Sequence, residues 1–280
     1  MNVLTSTSKF VLFNSVMFLL ISCMSCSDKE KKIEQAKHKK KIHYHEKQTL
    51  TKNFKGKYVP VLCYHAIREI NKDDSANKKT YSVTPSNFAT QIKALADNGY
   101  ISITPEKLRD FYTKQKPLPE KPIVITFDDG RKEQYSIGAT TLEKHHFKGV
   151  FFIMTVTIGK ENYMNKNEIK SLSDKGHSIG CHTWDHNKVT GYKKDDWEKQ
   201  LSKPKHQLEN ITHKPVTSFA YPYGVWNRTA ADSIKNNGFT TAFIVYGKPD
   251  ASVPLYTIKR IVVKNSWSTK DFLNNLTKGM

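Results

Sequence analysis

Two acidic residues stand side by side at the end of an apolar run, where Ile123-Val124-Ile125-Thr126-Phe127 leads directly into Asp128-Asp129-Gly130. Adjacent carboxylates at a buried edge repel each other unless a cation or a proton separates their roles, so the pair points to a metal ion. Asp-Gly is also a turn sequence and Asp a helix cap, a reading that accounts for one carboxylate better than for two. A second short apolar run, Ser178-Ile179-Gly180-Cys181, leads into His182-Thr183-Trp184-Asp185-His186. Two imidazoles four residues apart at a strand end can converge on one point. With an Asp they make a nitrogen, nitrogen, oxygen donor set suited to zinc or a similar divalent ion with an open position. Among 11 His a pair arises by chance; a His pair at one strand end together with an Asp pair at another is a stronger signal.

The elements that must position these groups alternate between two periods. Short β-branched and aromatic runs predict strands at Val59 to Tyr64, Tyr100 to Ile103, Ile123 to Phe127, Val150 to Met154, Ser178 to Cys181, Thr217 to Tyr221, Thr240 to Val245 and Ile258 to Val262. Between them, Phe88, Ile92 and Leu95 recur at helical spacing after Thr84-Pro85-Ser86, and Thr104-Pro105 opens another helix with a cap residue followed by Pro. Further helices are expected near Glu133 to His146, Lys166 to Lys175, Asp195 to Ile211, Thr229 to Asn237 and Thr269 to Leu276, and a surface loop at Arg68 to Lys79. Strand and helix in repeated alternation predict an α/β fold with a largely parallel sheet, in which sites are built at the C-terminal ends of the strands. Strand count does not separate a closed barrel from an open sheet.

Thr126-Phe127-Asp128-Asp129-Gly130, then His182-Thr183-Trp184-Asp185-His186, then Tyr221-Pro222-Tyr223-Gly224, in that order, resemble the motifs of the polysaccharide deacetylase family, the NodB-type hydrolases. The resemblance runs from about Val59 to Val263 and implies a distorted (β/α) barrel that removes acetyl groups from an N-acetylated sugar polymer with the help of a metal. It implies Asp128 as base, Asp129, His182 and His186 as ligands of a divalent ion, and the Tyr223 backbone N–H as a donor to the oxyanion. Zinc is the first expectation for the ion, with nickel, cobalt, iron and manganese open. Two departures matter. Where many members carry an Arg that steadies the base, this chain has Ala220, and Arg260 in Lys259-Arg260-Ile261 is the candidate substitute. No His follows His213, so the usual late acid is missing, whereas Val61-Leu62-Cys63-Tyr64-His65 ends a strand in His. This resembles the rearranged branch acting on poly-β-1,6-N-acetylglucosamine and makes His65 the expected general acid. Cys63 shares the strand face of His65; a metal contact from its thiol is the less favoured reading.

Trp184, Trp226, Tyr64 and Tyr223 flank the motifs and are candidates for a glycan groove or for packing. Peptidoglycan, which carries carboxylates, rivals poly-N-acetylglucosamine as substrate, with chitin-type glycan and O-acetyl esters of a polysaccharide behind it. A catalytically retired glycan-binding lipoprotein is the reading from another class, and Asp128, which a metal site alone does not need, argues against it.

The chain has 280 residues, 45 Lys and Arg against 26 Asp and Glu, and a formal charge of +19. Its 14 Phe, 13 Tyr and 4 Trp exclude a wholly disordered chain. No zinc-finger spacing, RNP-like motif or Arg-rich helix supports a nucleic-acid partner. The run Phe10 to Ile21 after Lys9 is too short to span a bilayer and fits the core of an export signal. Leu20-Ile21-Ser22-Cys23 resembles a bacterial lipobox. The expected organisation is a signal peptide at 1–22, a lipidated basic tether at 23–57 anchored to the membrane through Cys23, and a catalytic domain at 58–280, exported to the cell envelope. Residues 28–57 hold eleven Lys against four acidic residues, a net charge of +7, suited to anionic headgroups. Cys63 and Cys181 are expected as two buried thiols rather than a disulfide.

Overall fold

Inward and outward positions alternate along each strand, and this pleat sorts the core into two apolar clusters. The computed structural model describes residues 58–278 together with Glu34; the expected signal peptide, Cys23 and, apart from Glu34, the basic tether lie outside the described residues. The strands are β1 (Val61–Tyr64), β2 (Ala66–Ile67), β3 (Ser82–Val83), β4 (Ile101–Ser102), β5 (Pro122–Phe127), β6 (Val150–Ile153), β7 (Ser178–Cys181), β8 (Ser218–Ala220), β9 (Thr241–Ile244), β10 (Ile258–Lys259) and β11 (Ile261–Val262). Their order is β10-β9-β8-β7-β6-β5-β1-β11, all parallel, with β4 paired to the start of β5.

The two ends of this sheet are one strand interrupted at Arg260. On one side β10 pairs with β9 (Ile258↔Phe243), on the other β11 pairs with β1 (Leu62↔Ile261). Arg260 N–H donates to the Ile244 carbonyl at 3.0 Å and Val263 N–H to that of Cys63 at 3.1 Å. The fold is therefore α/β, a nearly closed parallel barrel of eight strand positions.

One apolar cluster contains Val61, Val124, Val150, Phe152, Ala220, Phe243 and Ile258, with Leu108 and Tyr112 of the helix Pro105–Lys114. The other contains Leu62, Ile125, Phe127, Phe151, Phe219 and Ile244 with Phe88, Ile92 and Leu95 of the helix Pro85–Asp97. Adjacent residues of one strand fall in different clusters, as a strand buried on both faces requires. Phe152 fills the barrel so closely that a Cβ on Gly180 would overlap its ring. A run of side chains continues the first face to the C-terminal rim: Cys63 and His65, Thr126 and Asp128, His182, Arg260.

The helices begin where the caps predict. Thr84 and Thr104 accept from the N–H of Asn87 and Lys107 at 3.3 Å, each followed by Pro, and Asn165 with Glu168 forms a reciprocal capping box. The Arg68 to Lys79 segment differs from the expected loop: Ser75 caps a short helix, Ala76–Thr80, and β2 pairs with β3 beside it. Among the described residues no helix is long and apolar enough to cross a membrane.

Candidate active site

β5, β7 and the last strand deliver their ends to one rim. Asp129 Oδ1 lies 3.8 Å from His182 Nε2 and 3.9 Å from His186 Nε2, and the two imidazole centroids are 4.8 Å apart. The Ala220 carbonyl can only accept, so the 2.7 Å contact from His182 Nδ1 puts the proton on Nδ1 and leaves Nε2 a bare lone pair. That nitrogen is buried with no hydrogen-bond partner. An orphaned acceptor beside a carboxylate and a second imidazole is costly without a ligand and fits a cation held by Asp129, His182 and His186. Arg131 Nε donates to Asp129 Oδ2 at 3.3 Å, outside that set. Asp185 is turned away, accepting from Asn187 N–H and the Gln200 amide.

Asp128 is 2% exposed. Arg260, equally buried, donates from Nη1 to Oδ1 at 2.6 Å and from Nη2 to Oδ2 at 2.7 Å. Nη1 also donates to Thr126 Oγ1, whose hydroxyl is passed on to the Leu62 carbonyl. Burial pushes the Asp128 pKa up, but the Arg260 guanidinium, with His182 and His65, outweighs it and holds the carboxyl below the usual carboxylate range. The same pairing keeps Arg260 charged against the pull of its own burial. His65 Nε2 stands 3.7 Å from Asp128 Oδ2, and the Cys63 thiol donates to that oxygen at 3.6 Å. Burial lowers the pKa of His65, opposed by Asp128 and Asp129, which favours the neutral ring at rest. Cys63 and Cys181 are both free, buried thiols.

Strain collects at this rim. Asp129 (φ 81°), Thr183 (67°), His186 (68°) and Tyr223 (59°) all adopt left-handed backbone, an arrangement that persists only where surroundings over-determine it. Tyr223 is half-exposed, its ring 4.5 Å from that of His186 and 5.4 Å from Lys188 Nζ. The next residue, Gly224, is also left-handed (φ 65°), and a Cβ there would meet the Val245 backbone at 2.5 Å from N and 2.8 Å from Cα. A groove of about 490 Å³ runs from Tyr223 past Lys188, Asn187 and Tyr192 to Asp196 and Gln200. A larger one, about 520 Å³, lies on the outer helices along Lys166, Lys170, Lys203 and His206 and holds none of these groups. Of the aromatic candidates, Tyr64 is core, its hydroxyl bonded to Gln91, and Trp226 is half-buried against the core; Trp184 lies under Lys199 Nζ at 4.1 Å.

Sequence reasoning missed Gln134. Fully buried on a π-helical turn, its amide nitrogen donates to the backbone carbonyls of both His65 (2.8 Å) and Asp128, tying the two strand ends together. Its only signal was a polar residue opening an expected helix just after Asp128. Tyr81 and Tyr246 were missed too: their hydroxyls meet at 2.7 Å, and the Tyr81 ring packs on His65 at 4.7 Å.

A family model described as polysaccharide deacetylase matches residues 115–242, the span holding both Asp, both His and the Tyr223 turn. Over this span the chain is similar to the polysaccharide deacetylase family. The chain is a hydrolase of the polysaccharide deacetylase type, for which an acetylated polysaccharide is the implied substrate. It is 28% identical over 277 residues to YxkH of Bacillus subtilis, which bears the name of a polysaccharide deacetylase, covering 93% of this chain and 96% of that one. The poly-beta-1,6-N-acetyl-D-glucosamine N-deacetylase of Staphylococcus epidermidis is 26% identical, with 91% and 92% covered. A solved polysaccharide deacetylase from Bacillus cereus superposes with a TM-score of 0.68 at 28% identity, over 79% of this chain and 69% of that one. His65 and Arg260 fall outside the family-model span.

Proposed function

We propose that this polysaccharide deacetylase removes N-acetyl groups from an N-acetylglucosamine-containing polysaccharide at the cell envelope, with poly-β-1,6-N-acetylglucosamine as the first substrate. The observation that carries the reading is Asp128, gripped by Arg260 on both oxygens and 3.7 Å from His65, beside an Asp/His/His set whose His182 Nε2 has no partner. Supporting the choice of polymer are the relative named for it and the early His65 in place of a late one.

Asp129, His182 and His186 would hold the divalent ion, zinc first. When bound, such an ion polarises the acetyl carbonyl and lowers the pKa of a water from about 15.7 towards roughly 7. Asp128, kept ionised by Arg260, takes the proton of the attacking water at Oδ2. His65 receives that proton at Nε2, 3.7 Å away, and delivers it to the departing nitrogen, so a free amine and acetic acid form, and the acid gives its remaining proton to solvent as acetate leaves. The Tyr223 backbone N–H, in the turn held by Gly224, donates to the carbonyl oxygen as it gains charge.

Peptidoglycan is the second reading, favoured by the cations at the mouth: Lys188 over Tyr223 and Lys199 over Trp184 suit carboxylates better than a polymer that gains positive charge as acetyl groups leave. Export, lipidation at Cys23 and a basic tether along the membrane belong to the same proposal, supported by the run Phe10 to Ile21 and by Leu20-Ile21-Ser22-Cys23.

Amine release from β-1,6-linked N-acetylglucosamine oligomers, chitin-type oligomers and peptidoglycan, with added divalent ions, tests the reading. Asp128→Asn and His65→Ala should each lower turnover by about 10²–10⁴-fold. No release on any of these with any ion, from folded metal-loaded protein, would sink it.

A further inference from the structure

The Cys63 thiol takes no part in the proposed reaction, yet it sits among the groups that do. β1 places Cys63 and His65 on one face, and Asp128 arrives beside them from β5. Sγ is 3.6 Å from Asp128 Oδ2 and 3.9 Å from His65 Nδ1, while His65 Nε2 is 3.7 Å from the same Oδ2. One ligating atom from each of the three lies within 4.8 Å of the other two, a cluster that shares no residue with Asp129, His182 and His186.

We propose that Cys63, His65 and Asp128 form a second cation site for a thiophilic divalent ion such as zinc or cadmium, and that its occupation shuts down the hydrolase by ligating the pair that moves protons. The shutdown rests on the roles given to Asp128 and His65 above; the ion site rests on the cluster alone. A thiolate, an imidazole and a carboxylate select zinc-like ions over magnesium or manganese. Ligands of tetrahedral zinc, at about 2.0–2.3 Å from the ion, stand roughly 3.5 Å from each other. The Sγ to Oδ2 separation already meets this, and His65, its side chain 17% exposed at the rim, is the ligand that must shift to bring a ring nitrogen as close. On binding, the metal–sulfur bond forms as the S–H bond breaks and its proton leaves to solvent; no electron is transferred. Asp128 Oδ2 exchanges the thiol donor for the ion while Oδ1 keeps Arg260.

Arg260 and an ion in the neighbouring set both add positive charge nearby, so the second ion binds more weakly than the first and fills at excess. Excess zinc therefore inhibits, and the inhibition is reversed by dilution or a weak chelator.

The test is a cobalt(II) titration of the full metal-free chain, followed by absorbance and by metal content after equilibrium dialysis, with amine release measured in parallel zinc titrations. We expect two ions per chain, a thiolate-to-cobalt charge-transfer band in the near ultraviolet that grows only with the second ion, and a fall of at least tenfold in amine release as the second site fills. Cys63→Ser and Cys63→Ala should bind one ion, show no such band and, whatever their own rate, lose the fall at excess zinc. A single ion without the band, or a band that survives both substitutions, would overturn the site. Amine release that never appears, beside a band that does, counts against the reaction proposed above and for the ion site.

Discussion

Arg260 reaches Asp128 across the seam that closes the barrel, two hydrogen bonds of 2.6 and 2.7 Å joining the last strand to the end of β5 with both side chains buried. The break between β10 and β11 falls at this residue, which is thus backbone-bonded to β9 while its guanidinium grips the carboxylate. Ala220, where the family commonly has the stabilising Arg, packs inside the barrel with Phe152 and Phe243, and Arg260 lies over the Phe152 ring at 5.6 Å. In this chain the cation that meets Asp128 stands on the last strand.

Removing one partner of a buried pair leaves the other uncompensated. Arg260→Met should cost about 3–5 kcal/mol of stability, read as a shift in the urea midpoint. Pairing it with Asp128→Asn should restore much of that loss, because the orphaned charge goes too. A double variant no more stable than Arg260→Met would show that the guanidinium serves packing rather than the carboxylate.

The metal-free protein should gain stability as pH rises from about 4 to 6.5. Burial, then the neighbouring His182, lowers the His186 pKa to about 4 against the pull of Asp129, whereas an unfolded His titrates near ~6.5. Between those values the unfolded chain binds more protons, so this contribution is complete above the upper value and lost as pH falls through the lower. Asp128, also depressed, acts in the same direction at still lower pH. Urea midpoints of metal-free protein across this range should climb, and His186→Gln should flatten the climb. Zinc should raise the midpoint further, by about 2.7 kcal/mol at a hundredfold excess over its Kd, and less in acid, where protons compete for the ligands.

Gly224→Ala should damage activity more than Tyr223→Ala. The first forces a Cβ against the Val245 backbone at a left-handed position, costing about 1–3 kcal/mol or moving the turn. The second removes a half-exposed ring and leaves the backbone N–H in place. A loss of tenfold or more for Gly224→Ala, beside a smaller one for Tyr223→Ala, is the expected pattern in amine-release rates. The reverse order would assign the role to the Tyr223 side chain.

Much of this protein was legible because local signals agreed. Apolar runs broken by capped helices placed all eight strand regions, and Asp128, Asp129, His182 and His186 stood out because they follow strand ends directly, where a parallel α/β fold builds its sites. Thr84-Pro85 and Thr104-Pro105 located their helices because a cap hydrogen bond involves neighbours in the chain. Gln134 was not legible, since its value lies in reaching two carbonyls that belong to different strands. The Tyr81–Tyr246 contact joins residues 165 positions apart and has no local trace.

By itself the sequence determined the order of strands and helices, the alternation of inward and outward faces, and which side chains arrive at the C-terminal rim, because all of these follow from periods of two and 3.6 residues. Arg260 and His65 were already candidates there, as the substitute cation for the base and as the general acid, on the last and first strands. Tertiary structure alone decided that those strands lie side by side, since β1 pairs with β11 across a distance no local pattern encodes. It also decided that Asp128, on the strand beside β1, is met by His65, Cys63 and Arg260 at once. Closure of a twisted sheet is a global property: each strand sets its own tilt and pairing edge, and only their sum brings the first edge to the last.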